Sequence, residues 1–249
     1  MDRLIYTAMS GMTDSMVNER VIASNMANAQ TIGFKAEILY STPVTIKGTG
    51  LEARAMTDAE VHGARMTAGQ INQTGRSLDV AVGGNNMIAV QAQDGTEAYT
   101  RRGDLSVSAT GVLENGDGRP VMGDGGPITV PLGSKLTIGQ DGSVLAAQPD
   151  QPNLPPQVVG KIKLTDPSGS QIEKGLDGLF RVAGGGTLPT DENAQLTSGA
   201  LEQSNVDPSE VLVQMLQSQR LFDIRTKLIS TAKEVDQSGT SLLRLSGSN

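Results

Sequence analysis

The chain has one histidine, His62, and no cysteine. Histidine shuttles protons near neutral pH, but a triad also needs an activated serine. No serine sits in a G-x-S-x-G elbow, and His62 lies in a stretch of weak periodicity. Catalysis by His62 therefore has no supporting constellation. The lack of cysteine removes disulfides, thiolate metal sites and cysteine nucleophiles. Asn115-Gly116-Asp117-Gly118 resembles part of a calcium loop, with Asn115 and Asp117 as ligands three and five. Position one would then be Leu113 and position twelve Asp124 in place of the bidentate Glu. A hairpin turn is the better reading. Gly83-Gly84 and Gly184-Gly185-Gly186 do not form G-x-G-x-x-G, and no G-K-[ST] follows them. Arg101-Arg102 is an isolated basic pair, expected on a solvated strand edge where charge discourages stray pairing. These residues imply no enzyme, no cofactor, no metal and no small-molecule substrate.

What remains is shape. Only 2% of the residues are aromatic and there is no Trp, so any core must be aliphatic and thinly spread. The net charge of −7 opposes binding to a phosphate backbone. Residues 1–35 hold three acids and three bases, and residues 201–249 hold six and five. The middle therefore keeps 18 of the 27 acids and 12 of the 20 bases. Near-neutral ends can pack side by side without strong repulsion. No run is long and apolar enough for membrane insertion, and no cleaved signal peptide is read at the start.

The two ends read as helices. The first is expected from about Arg3 to about Ala29, with Asp2 as N-cap and an end before Thr31-Ile32-Gly33. Ile5, Met9, Met12, Met16, Ala23 and Met26 form a heptad-like seam. Methionine suits packing against more than one neighbour. The last helix starts at Asp207-Pro208-Ser209-Glu210, with an N-cap Asp, proline at the first helical position and Glu at N3. Leu221, Ile224, Leu228, Thr231, Val235, Ser238 and Leu242 then follow steps of three and four, while Arg220, Arg225, Lys227 and Lys233 are expected to face elsewhere. A helix of roughly 55 Å buries little against a small globule and needs a partner helix.

Between the ends, residues 36–75 read as extended or loosely folded chain. From Leu78 a period of two sets in. Strands are expected at 78–82, 87–92, 97–101, 105–108, 112–113, 120–122, 128–130, 136–138, 143–145 and 158–164, with Asp-Gly and Asn-Gly turns between them. Residues 149–156 read as a stiff loop, and 183–200 have little regular pattern. The expected class is α+β: long N- and C-terminal helices paired as a coiled-coil-like stalk, with a central, mainly antiparallel β-domain. The helical core would be 1–35 with 203–249, the connecting segment 36–75, and the β-rich outer domain 76–202.

Four segments, in order, carry a resemblance. SNMANAQTIGFK at 24–35 is similar to the N-terminal N-N-L-A-N-x-x-T-x-G-F-K of the bacterial flagellar rod and hook axial proteins. GRSLDVAVGGNNMIAVQ at 75–91, YTRRGDLSVSATGVLENGDGRPVMG at 99–123 and LEQSNV at 201–206 resemble further motifs of that family. Met87-Ile88 stand where paired aromatics are usual, and Leu105 where Phe is common. The opening MDRLIYTAMSGM and the length resemble the proximal-rod branch more than the longer distal-rod branch.

The resemblance implies a structural subunit of the basal-body rod. Such a subunit is exported unfolded by the flagellar type III apparatus, without a cleaved signal peptide. It would self-associate and join other rod proteins in a torque-transmitting tube across the periplasm. An assembly interface is then expected at Ile5, Met9, Met12, Met16, Asn25, Asn28, Gly33, Phe34, Leu201, Asn205, Val206, Leu221, Ile224, Leu228, Val235 and Leu242. On this reading Asn25 and Asn28 bond across to neighbouring backbones, Gly33 permits a sharp exit from the tube, and Phe34 holds that exit. Alternatively, the same residues serve to fold one subunit. A different class, an extracytoplasmic β-rich binding module with a helical stalk, fits the same elements.

Overall fold

The computed structural model describes residues 2–45, 55–148 and 155–246, with side chains described for 9–40, 63–148, 155–235 and 237–238. The class is α+β: among the described residues there are two helices, and strands that pair antiparallel. The chain divides into two compact units. One groups residues 1–27, 37–62 and 207–249, and the other groups 28–36 and 63–206.

The first unit holds helix α1 (Asp2–Ala27), helix α2 (Pro208–Ser246) and a paired strand couple, Glu37–Thr45 with Ala55–Ala64. The stretch 36–75, read as loosely folded, thus supplies these two strands and a third, Ile71–Gln73. At the start of α2, Asp207 Oδ1 accepts from the Ser209 and Glu210 amides at 2.8 and 3.4 Å. This satisfies two of the donors that every helix start leaves open. Glu210 accepts from Gln214 Nε2 at 3.0 Å, an i,i+4 bond along the helix. No helix among the described residues is long and apolar enough to cross a membrane.

The second unit is built on an antiparallel five-stranded sheet. Its order is Leu164–Thr165, Met87–Gln91, Glu97–Thr100, Phe180–Val182, Ile172–Lys174. A three-stranded sheet runs Lys135–Ile138, Ser143–Ala147, Gln157–Lys161. The expected strand at 158–164 is therefore split between two sheets. Four strands had no period-two signal to reveal them: Ile172–Lys174, Phe180–Val182, Leu196–Ser198 and Ala200–Glu202. They are three residues long, too short for a period to repeat.

Aliphatic side chains fill the main core, among them Val80, Ile88, Val90, Leu105, Leu113 and Val121. A smaller cluster joins Met87, Ala89, Tyr99, Phe180 and Leu188. Met87, Ile88 and Leu105 are all fully buried. Asn115 Oδ1 accepts from the Asp117 and Arg119 amides at 3.1 and 2.9 Å, closing a turn.

Tyr99 is inaccessible to solvent. Its hydroxyl donates to Glu97 Oε1 at 2.8 Å and accepts from the Leu188 amide at 2.5 Å. Burial pushes the phenol well above its ordinary range. The native state therefore keeps a proton that the unfolded chain releases above about pH 10, so stability falls as pH rises past that point. Tyr99→Phe should cost about 1–3 kcal/mol at neutral pH, because the Leu188 amide loses its acceptor. The same change should flatten the alkaline decline. Urea unfolding at neutral pH and above pH 10 checks both.

Candidate functional site

Residues from four of the resembling segments or their flanks meet inside the β unit. The strand Ala200–Glu202 pairs with Ile71–Gln73 and carries Glu202 inward, where its side chain is 1% exposed. Oε1 of Glu202 accepts from Lys35 Nζ at 2.6 Å and from the Gly69 amide at 2.8 Å. Oε2 faces Arg101, with Nε and Nη2 each at 2.6 Å. Lys35 Nζ also donates to Thr67 O at 2.8 Å. Arg101 donates to the carbonyls of Val82, Gly84 and Asn86, each at 2.8 Å. Lys35 and Arg101 are each 1% exposed. Two buried cations thus share one buried carboxylate. Burial holds the Lys35 amine below its usual range; the Glu202 hydrogen bond opposes this, and the Arg101 charge adds to it.

Arg101 was expected on a solvated edge. It is instead the largest fully buried side chain among the described residues, and its guanidinium is paired with three carbonyls and a carboxylate. Such burial is tolerable only with that full set of partners. Arg102, its neighbour, is partly exposed and bridges Asp104 and Asp117 at 2.8 and 2.6 Å.

Backbone bonds tighten the same place. The Gly33 amide donates to Glu202 O at 2.8 Å and the Asn205 amide to Phe34 O at 3.3 Å. Gly33 has φ +68°, and a Cβ there would collide with the backbone of Arg101 and Arg102. Only glycine fits. Asn205 uses its whole amide: Oδ1 accepts from the Ala36 amide at 2.7 Å, and Nδ2 donates to Arg65 O at 2.7 Å and Thr67 O at 2.9 Å. The Phe34 ring lies under Lys174 Nζ, 3.5 Å from its centroid. Leu201 and Val206 are buried beside these groups in sequence.

The other expected site residues lie in the helical unit or at its edge. Asn25 is buried and bonds within its own chain, Oδ1 to the Glu37 amide at 2.8 Å and Nδ2 to Glu37 O at 3.1 Å. Asn28 accepts from Thr31 Oγ1 at 3.1 Å in the turn after α1. Met12 is half-buried, whereas Met9 and Met16 are exposed. Leu221, Ile224, Leu228 and Val235 are 48–61% exposed. The side chains of Ile5, Leu242 and His62 lie outside the described residues.

Along α2 the covered positions include Val211, Met215, Ser218, Phe222, Arg225 and Ile229, also in steps of four and three. They sit about 100° round the helix from the exposed apolar stripe. On α1 Ser15, Val21, Ile22 and Asn25 are buried, and Gly11 and Asn18 are half-buried. Arg225, expected to face elsewhere, reaches α1 and donates to Gly11 O and Ser15 Oγ. Glycine and serine leave room for its long side chain, which a methionine stripe would not.

Comparison with known proteins follows the same segments. Residues 5–35 match the family model described as flagella basal body rod protein. Residues 81–146 match the flagellar hook protein FlgE/F/G D1 domain, and 197–242 the flagellar basal body rod FlgEFG protein C-terminal region. The chain belongs to the flagellar basal-body rod protein family. It is 40% identical to the flagellar basal-body rod protein FlgF of Salmonella typhimurium, over 99% of this chain and 100% of the relative. It is 38% identical to FlgF of Escherichia coli over the same shares. Against the rod protein FlgG of Bacillus subtilis the identity is 31%, over 97% of this chain and 99% of the relative.

Glu202→Leu strands two buried cations and should lower stability by about 3–5 kcal/mol in urea unfolding. Adding Lys35→Met to that variant removes one stranded cation and should recover part of the loss. Losses that simply add would mean that the two residues are not coupled.

Proposed function

We propose that the chain is a structural subunit of the flagellar basal-body rod, of the proximal kind, and not an enzyme. Its family membership supports the rod assignment. The observation that carries the mechanism is the apolar stripe Leu221, Ile224, Leu228 and Val235, left exposed on α2 of a single chain. Soluble monomers rarely leave such continuous apolar surface open, and it marks an interaction face.

The reading has the two helices form a coiled-coil-like stalk. The covered stripe joins α1 to α2, and the exposed stripe, with Met9 and Met16, meets neighbouring subunits. Self-association and docking to other rod proteins would then build a tube that transmits torque across the periplasm, after export through the flagellar type III apparatus without a cleaved signal. Gly33, Phe34, Leu201, Asn205 and Val206 would act differently. They hold the chain where it enters and leaves the helical unit, so their part in assembly is indirect. Asn25 and Asn28 belong with this group by their bonds within the chain.

A β-rich binding module with a helical stalk would not require the flagellar export machinery, and a distal-rod subunit would occupy a different level of the rod. The double variant Leu221→Glu with Leu228→Glu should abolish swimming and leave basal bodies with a truncated rod, while the β unit melts as in the wild type. Normal swimming in this variant would remove the exposed stripe from the mechanism.

A further inference from the structure

Two edge strands of the β unit are guarded by charge. Ile172–Lys174, at one edge of the five-stranded sheet, carries Glu173 and Lys174, and Lys135–Ile138, at one edge of the three-stranded sheet, begins with Lys135. Such charges discourage pairing with a foreign strand. Ile71–Gln73 differs. It pairs on one side with Ala200–Glu202, and among the described residues no strand or loop bonds to its other side. All three of its residues are exposed, Ile71 by 54%. Residues 66–75 contain no charged side chain and no proline. Beside this open edge lies a cavity of about 520 Å³, lined by Met66, Ala68, Ile71 and Val82 and also by Arg101 and Glu202. The last two are paired with each other, so the cavity offers an incoming group its apolar side chains.

The same unit presents a matching strand. Gln157–Lys161 is the outer strand of the three-stranded sheet, and its residues 157–160 are uncharged. Val158 lies across from Leu145 and is 65% exposed, a branched apolar side chain left on the surface. Pro155 and Pro156 directly precede the strand and would end any pairing there, because proline has no amide to donate. The neutral run is therefore short, as the open edge at Ile71–Gln73 is short.

We propose that Gln157–Gly160 of one copy adds as a strand to the Ile71–Gln73 edge of the next copy, with Val158 seated in the cavity beside Ile71. This inference rests on the rod reading and names one contact between copies of the chain. Main-chain hydrogen bonds give such a contact its affinity, and the pocket for an alternate side chain gives its specificity. A residue directly opposite Ile71 points to the same side of the strand pair, and Ile71 lines the cavity. Two different edges meet, so the contact is heterologous. A copy that has docked still offers its other edge, and addition continues along a row, whereas a self-matching contact would stop at a dimer.

The lack of cysteine makes the test direct. Ile71→Cys and Val158→Cys chains are expressed, singly and together, in a strain lacking the gene, and the isolated basal bodies are oxidised. Asn72→Cys serves as a second acceptor, so that a shift in register does not hide the contact. A mixture with Val158→Cys should give a disulfide-linked dimer joining residue 158 to residue 71 or 72, and each chain alone should stay monomeric. No dimer from either mixture, in cells that swim and carry complete rods, would overturn the proposal and leave the rod reading standing. A dimer from Val158→Cys alone would overturn it as well, because like edges would then meet. Failure of the wild-type chain to restore swimming would remove the rod reading and this proposal with it.

Discussion

A single buried carboxylate constrains much of this molecule. Glu202 cannot stay in the β unit without cations, and the two that reach it come from far along the chain, at Lys35 and Arg101. Placing them there fixes the rest. Gly33 must turn with positive φ against the Arg101 backbone, Gly69 must bring its amide to the carboxylate, and the strand ending at Glu202 must pair with Ile71–Gln73. A buried ion cluster is seldom the cheapest way to gain stability. It does impose a unique arrangement, because each charge tolerates only one set of partners.

The chain passes between the helical and β units four times, after residues 27, 36, 62 and 206. Asn205 bonds to Ala36, Arg65 and Thr67 from within the β unit, so one amide ties three of the segments that flank those crossings. In the helical unit Asn25 does similar work, holding both backbone groups of Glu37 at the start of a strand. The polar residues of the resembling segments are thus largely used in joining the chain to itself. The apolar stripe on α2 is left exposed, which is why assembly is proposed there.

Much of this was legible in the sequence. The last helix announced its start through Asp207-Pro208-Ser209-Glu210, and the β unit's longer strands through a period of two. Gly33 was legible as a left-handed stop. The three-residue strands at 172–174, 180–182, 196–198 and 200–202 were not, since a period needs length to repeat. The heptad on α2 was seen, but not that the stripe one residue further on is the one covered within the chain. That stripe contains Ser218 and Arg225, which hydropathy ranks as solvent-facing. Arg101 shows the same failure: in sequence it is half of a basic pair, and only the distant Glu202 makes its burial possible. Lys35 and Glu202 are 167 residues apart, and no spacing rule links them.

Hydrogen exchange at the amides of Gly33, Ala36 and Gly69 in the full-length chain tests the central claim most directly. If the cluster around Glu202 and Asn205 organises the β unit, these three amides should exchange only when the whole unit opens, at the rate of buried strand amides such as those at Ile88 and Val90. Exchange as fast as that of the exposed turns would show that the cluster is peripheral to the fold and contradict the account.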